Sequence, residues 1–268
     1  MNISRTPENA LAEIEGWEGA DVREISGGLT NRAWLVETSD RKAVLKIDAL
    51  PRGEPYNSRS AEASIQAVAA QKGLANGVLY ADELTLLTEY VEGEVWEAAC
   101  LERNRNIELV ADALRRLHAM PLSGRSFDSI VAAKRYVAKI ENADTALVGH
   151  CTQVIETMRL PHNLCCCHND LVAANIITTP DLMFLDWEYA CDNDPFFDLA
   201  TIVEHHELSE EVSARLLDAY FDGDGQRWWP KLQEQRNLYL ALYWLWLASR
   251  PDGSQAELQA VAARIRSR

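Results

Sequence analysis

The sequence predicts an α+β protein with a small N-terminal lobe of sheet plus one helix, residues 1–91, and a larger, mostly helical lobe, residues 92–268. Three observations predict it. Short runs of strand formers dominate before residue 92, interrupted by one helix-like segment. Helical periodicity dominates after it. Within the helical half lies one strand-rich island, "NIITT" and "LMFLD" separated by "PD", the pattern of a β-hairpin.

Taken in order, "SGGLTN" places the pair Gly27-Gly28 between strand candidates. "RAWLVETS" and "KAVLKIDA" are strands separated by the polar turn "SDRK". "SRSAEASIQAVAAQKG" opens on serine, runs through helix formers and ends at Gly73, which reads as a capped helix. "LTLLTEYVEG" is a buried strand running into a turn at Gly93. In "NIELVADALRRLHAM", Ile107, Val110, Leu114 and Leu117 share one helical face, and the helix stops before Pro121. Residues 131–160 and 208–222 are expected to be helical, and residues 237–248 are apolar on every side, as in a buried helix. The chain shows no internal repeat, low-complexity tract or long linker.

Composition excludes several classes. A net charge of −15 opposes general nucleic-acid binding, which needs clustered Lys and Arg. No apolar run approaches the roughly 20 residues that span a bilayer, so no membrane segment is expected. No basic stretch followed by an apolar one opens the chain, and a cytoplasmic location is the expectation. No protein partner is evident. Between Arg159 and Arg215 there is no Lys or Arg, against eleven Asp and Glu. That stretch is either a solvated acidic surface or a site for cations.

The six cysteines form no C-x-x-C pair, and three are consecutive in "NLCCCH". Neighbouring strand residues point to opposite faces, so three in a row do not converge on one tetrahedral ion. The expectation is a reduced, apolar core strand that delivers the next loop.

That loop, "HNDLVAAN", carries Asp170 and Asn175. Asn175 enters the hairpin and Asp186 leaves it, so the two belong side by side, within reach of Asp170. These oxygen donors suit a hard ion such as Mg²⁺; alternatively Asp170 and Asn175 are turn formers. In "AVLKI" a buried Lys46 needs a partner, which Glu62 supplies from the capped helix; alternatively Lys46 faces water on an edge.

The order glycine turn, strand Lys, helix Glu, H-x-D-x-x-x-x-N, hairpin, Asp resembles that of protein-kinase-like phosphotransferases. More narrowly, "SGGLTNRAWLVE", "HNDLVAAN" and "FLDWEYACDNDPFFDLA" resemble the choline/ethanolamine kinase branch of the aminoglycoside phosphotransferase superfamily. Residues 26–91 and 165–206 carry the likeness. At Asn169 the aminoglycoside branch more usually has glycine, and thiamine kinases share the W-E-Y-A segment.

The resemblance implies a bilobal kinase-like fold and an ATP- and Mg²⁺-dependent transferase. Asp170 would orient the acceptor hydroxyl and take its proton. Asn175 and Asp186 would hold Mg²⁺, and Lys46, positioned by Glu62, would grip the α and β phosphates. Gly27 and Gly28 would bring backbone N–H groups to those phosphates, with the backbone at Glu89 and Val91 on the adenine edge. His168 is expected as a structural loop residue and Asp198 as a buried acceptor bracing the loop. A quaternary ammonium is recognised by aromatic faces backed by carboxylates. Trp187, Glu188, Tyr189, Asp192, Tyr243, Trp244 and Trp246 are the candidates, so a small cationic alcohol is expected as substrate. Choline comes first and ethanolamine beside it; thiamine, an aminoglycoside and a non-catalytic nucleotide-binding module are the alternatives.

Overall fold

The computed structural model describes residues 5–25, 32–48, 58–141, 143–158, 161, 163–251 and 253–268. Gly27 and Gly28 lie outside the described residues. In chain order the elements are α1 (Pro7–Leu11), β1 (Asp21–Ile25), β2 (Ala33–Glu37), β3 (Lys42–Ile47), α2 (Arg59–Gln71), β4 (Val78–Ala81), β5 (Thr85–Glu89) and β6 (Glu94–Val95). Next come α3 (Asn104–His118), α4 (Ser129–Val137), α5 (Thr145–Thr157), β7 (Cys165–Cys167), β8 (Ile176–Thr179), β9 (Asp181–Phe184) and β10 (Cys191–Asn193). The helices α6 (Pro195–His205), α7 (Glu210–Tyr220), α8 (Trp229–Ala248) and α9 (Gln255–Arg266) follow. The chain forms two compact units, Met1–Glu97 with Ala174–Cys191, and Ala98–Ala173 with Asp192–Arg268.

In the first unit, β1-β2-β3-β5-β4 form an antiparallel sheet. Strand alternation sorts its side chains. Ala43, Leu45 and Ile47 of β3 face a core shared with Leu11, Trp17, Trp34, Val36 and Leu87. The intervening Lys46 therefore projects from the opposite face. Ser58 caps α2 by accepting the Ala61 amide at 3.2 Å, and Gly73 ends it at φ +67°. The β8–β9 hairpin joins this unit, with β6 pairing alongside β8. Gly93 fits there because a Cβ would stand 2.5 Å from the Thr178 carbonyl oxygen.

The second unit is helical around α8, which packs against α4, α5, α6 and α9. Ile107, Val110, Leu114 and Leu117 are buried along α3, as their spacing requires. The stretch expected as helix over 131–160 is two helices. Asp144 caps α5 by accepting the amides of Ala146 and Leu147, which starts a new helix inside the segment. Buried Glu204 of α6 is held by Arg236 of α8 and by Arg264 and Arg268 at the C-terminal end. Burial alone would raise that carboxyl; the guanidiniums, Arg236 first, keep it below its usual range. Among the described residues, no helix is long and apolar enough to cross a membrane.

Candidate active site

In the first unit the decisive geometry surrounds Lys46. Its ammonium lies 2.7 Å from Oδ1 of Asp186 and 3.4 Å from Oε1 of Glu62. Glu62 is buried and also accepts from Arg59 at 2.7 Å, and Arg59 continues to Asp48 at 2.8 Å. Burial by itself would lower the Lys46 pKa, but Asp186 and then Glu62 outweigh it and push it up to about 12. Lys46 is thus a fixed cation in a chain of alternating charges. Arg59 and Asp48, which complete that chain, escape a reading by motif. The available signal was Arg59 in the first turn of α2, three positions before Glu62, and Asp48 directly after β3.

Asp186 leaves β9 at φ 60°, ψ 70°, a left-handed conformation that aspartate tolerates better than most residues. The turn Trp187–Tyr189 after it packs against α2. Across the hairpin, the Leu185 amide donates to the Asn175 carbonyl at 2.8 Å, so the register sets Asn175 opposite Leu185, one position from Asp186. At the end of β5, the Glu89 amide donates to Gly77 at 2.9 Å, and Asn76 donates to its carbonyl at 2.5 Å. The Glu89 N–H is therefore committed to the sheet, while its carbonyl keeps a second lone pair.

In the second unit, β7 delivers the loop at residues 168–170. Buried Asp198 on α6 accepts the backbone N–H of His168 at 3.0 Å and of Asn169 at 2.7 Å. The Nε2–H of His118 donates to the same carboxylate at 3.1 Å. Asp198 is thus the brace of this loop, as expected. Asn169 sits at φ +64°, and its side-chain oxygen accepts from Asn193 at 2.7 Å. A residue that tolerates left-handed backbone is needed there, which asparagine satisfies in place of glycine. His206, buried, reaches the Leu171 carbonyl at 3.4 Å.

Near Asp170 the rings of Tyr239, Tyr243 and Trp246 stack along one face of α8, with centroids 5.6 and 5.9 Å apart. Burial first, and the Asp170 carboxylate among other groups, raise both tyrosine phenols. The Tyr243 hydroxyl donates to Glu257, and the Arg250 guanidinium lies 4.7 Å from the Trp246 centroid.

Several expected acceptor residues are placed otherwise. Trp187 is fully buried and its indole N–H donates to the Phe184 carbonyl at 3.0 Å, so its faces are core. Glu188 is buried in the same turn, while Tyr189 is half-buried. The Asp192 carboxylate accepts from the Ser123 and Gly124 amides at 2.7 and 2.9 Å, and from the Ser123 hydroxyl at 2.9 Å, and so clamps that loop. Trp244 points away from the stack into the core; Tyr239, unselected from the sequence, lies where the stack continues. The arginine-free acidic stretch is structural in part, while Asp181, Glu207, Glu210 and Glu211 are exposed. Asp194 caps α6 and pairs with Lys231 at 2.8 Å, and Glu204 is matched by arginines from outside the stretch.

The family model described as a phosphotransferase enzyme family matches residues 21–235. Protein LicA of Haemophilus influenzae is 33% identical over 213 residues, 72% of this chain and 61% of that protein; the match thus spans under two thirds of the relative's length. A choline/ethanolamine kinase family protein from Mesorhizobium loti shares the fold at TM-score 0.74 and 23% identity, covering 97% of this chain and 92% of that one. Choline kinase LicA from Streptococcus pneumoniae does so at TM-score 0.75 and 21% identity, covering 92% and 94%.

Proposed function

The chain belongs to the phosphotransferase enzyme family, and from that premise we propose that it transfers the γ-phosphate of ATP to the hydroxyl of choline. The observation that carries the transferase reading is Lys46 held between Glu62 and Asp186. A lysine so fixed presents one positive charge to phosphate oxygens without having to be ordered at each turnover. The carbonyl of Glu89 and the backbone at Val91 meet the adenine edge.

Asn175 and Asp186 offer hard oxygen donors at the two ends of one hairpin, and Asp186 already draws a cation to 2.7 Å, so this donor set fits Mg²⁺. When bound, the ion neutralises charge on the transferring phosphate. Asp170 orients the acceptor hydroxyl and takes its proton. Asp198 keeps Asp170 in place through the two preceding amides.

Choline is favoured by two supports. The structural neighbours of this chain include proteins named choline kinase. The second support is the aromatic stack of the second unit, bonded to Glu257 and within the electrostatic reach of Asp170, which suits a cationic alcohol. Arg250 over Trp246 shows that this ring already receives a cation on one face.

The test is ATP consumption with choline, ethanolamine, thiamine and an aminoglycoside as acceptors. The expected outcome is the highest kcat/KM with choline. Absence of turnover with all four, while ATP and Mg²⁺ bind, overturns the proposal. Asp170→Asn should leave ATP affinity intact and lower kcat by about 10²–10⁴.

A further inference from the structure

The alternation that puts Lys46 on one face of its strand also sorts the cysteines. Cys165 and Cys167 of β7 point to one side, with their sulfurs 3.5 Å apart, and Cys166 points to the other. His118, the last residue of α3, arrives on the Cys165 side. One ligand atom from each of Cys165, Cys167 and His118 lies within 4.8 Å of the other two. A tetrahedral zinc ion with Zn–S bonds of about 2.3 Å holds its sulfurs about 3.8 Å apart, close to the separation already present. Strand geometry bars three consecutive cysteines from one ion; it does not bar alternate ones joined by a histidine from another element.

We propose that Cys165, Cys167 and Nδ1 of His118 form a binding site for a thiophilic divalent cation of the zinc class. The imidazole is prepared for it. Its Nε2–H donates to Asp198, which leaves the lone pair on Nδ1, where the Tyr220 hydroxyl now donates at 2.7 Å. Both cysteines act electrostatically on the phenol that meets Nδ1 at 2.7 Å. A carboxylate behind the imidazole is the usual support of a metal-ligating histidine, because it fixes the tautomer and strengthens the donor nitrogen.

Charge balances. The two thiols release two protons to solvent, and the two thiolates match the two positive charges of the ion. With neutral His118 and Tyr220, the occupied site is neutral overall, which a buried position requires. The Tyr220 hydroxyl or a water takes the fourth position. This donor set is soft where that of Asn175 and Asp186 is hard, so the two select different ions. Occupancy also fastens His118 to Asp198, which holds the His168 and Asn169 amides. Binding therefore stiffens the loop leading to Asp170; only the relevance of that stiffening to transfer rests on the proposed function.

The test titrates the reduced, metal-free protein with Co²⁺ and follows the thiolate-to-cobalt charge-transfer absorption. One equivalent should bind with a tetrahedral spectrum, and Zn²⁺ should displace it with release of two protons. Cys165→Ser, at the half-exposed end of the strand, should abolish the band without disturbing the core, and Cys167→Ser, at a buried position, should abolish it as well. Cys100→Ser and Cys151→Ser should keep it, and His118→Gln should weaken Co²⁺ binding tenfold or more. No band at saturating Co²⁺ in the folded wild type, or a band that survives Cys165→Ser, overturns the site. The oxygen donors Asn175 and Asp186 cannot produce this absorption, and no turnover is needed to read it.

Discussion

The ammonium of Lys46 lies 2.7 Å from Oδ1 of Asp186, a contact made across 140 positions of sequence. It ties the apolar strand that carries the lysine to the hairpin that ends in the aspartate. Glu62, buried and shared with Arg59, holds the lysine from the other side.

Replacing Lys46 with methionine keeps the stem packed in the sheet and removes only the charge. Glu62 keeps Arg59, so folding should survive. The kcat/KM for ATP should fall by about 10²–10³, the usual effect of removing one preorganised donor to a transferring group. Steady-state kinetics with varied ATP checks it. An unchanged kcat/KM would remove Lys46 from phosphate binding.

Asp198 receives three donors, the amides of His168 and Asn169 and the His118 imidazole. In Asp198→Asn an N–H group must face at least one of them. A lost hydrogen bond to a charged acceptor costs roughly 1.5–3 kcal/mol, so the urea midpoint should drop. A loop that has lost its brace should also lower kcat while the KM for ATP stays unchanged, since the proposed nucleotide contacts lie on other residues. A fall in stability with unaltered kcat would make Asp198 structural only.

Burial first, and then the neighbouring His205, lower the His206 pKa from 6.5 to about 4. The folded chain therefore binds fewer protons here than the unfolded chain. His206 favours folding fully above about pH 6.5, and that contribution is lost as pH falls towards 4. Urea unfolding of wild type against His206→Gln should show the wild type losing more stability across this window. Parallel curves would contradict the buried, neutral imidazole.

Much of this was legible in the sequence because it follows from local periods. Lys46 inside an apolar strand, Glu62 in the first turn of a capped helix, and the hairpin between Asn175 and Asp186 are each visible within a short window. The brace by Asp198 was also foreseeable, as an acid in an apolar helix. Less legible was which face a side chain takes when every neighbour is apolar. Trp187 and Trp244 look like Trp246 in the sequence, yet packing against Phe184 and the helix core absorbs the first two. How the acidic stretch is neutralised was illegible for a related reason: Arg236, Arg264 and Arg268 pair with Glu204 from distant positions that no window contains.

The aromatic stack separates packing from recognition. Tyr243 and Trp246 are half-buried, whereas Trp244 is 2% exposed on the opposite side of the same helix. If the stack receives a cation, Trp246→Leu should raise the KM for choline about fivefold or more, a loss of roughly 1 kcal/mol expected for a cation–π contact. The KM for ATP should not move. Tyr243→Phe should act more weakly, because it keeps the ring and loses only the hydroxyl bonded to Glu257. Trp244→Phe should instead lower thermal stability and leave both KM values in place, since it removes buried area without touching the stack. The three variants thus predict three different signatures. If Trp246→Leu and Trp244→Phe behave alike, the stack is core and the cation binds elsewhere.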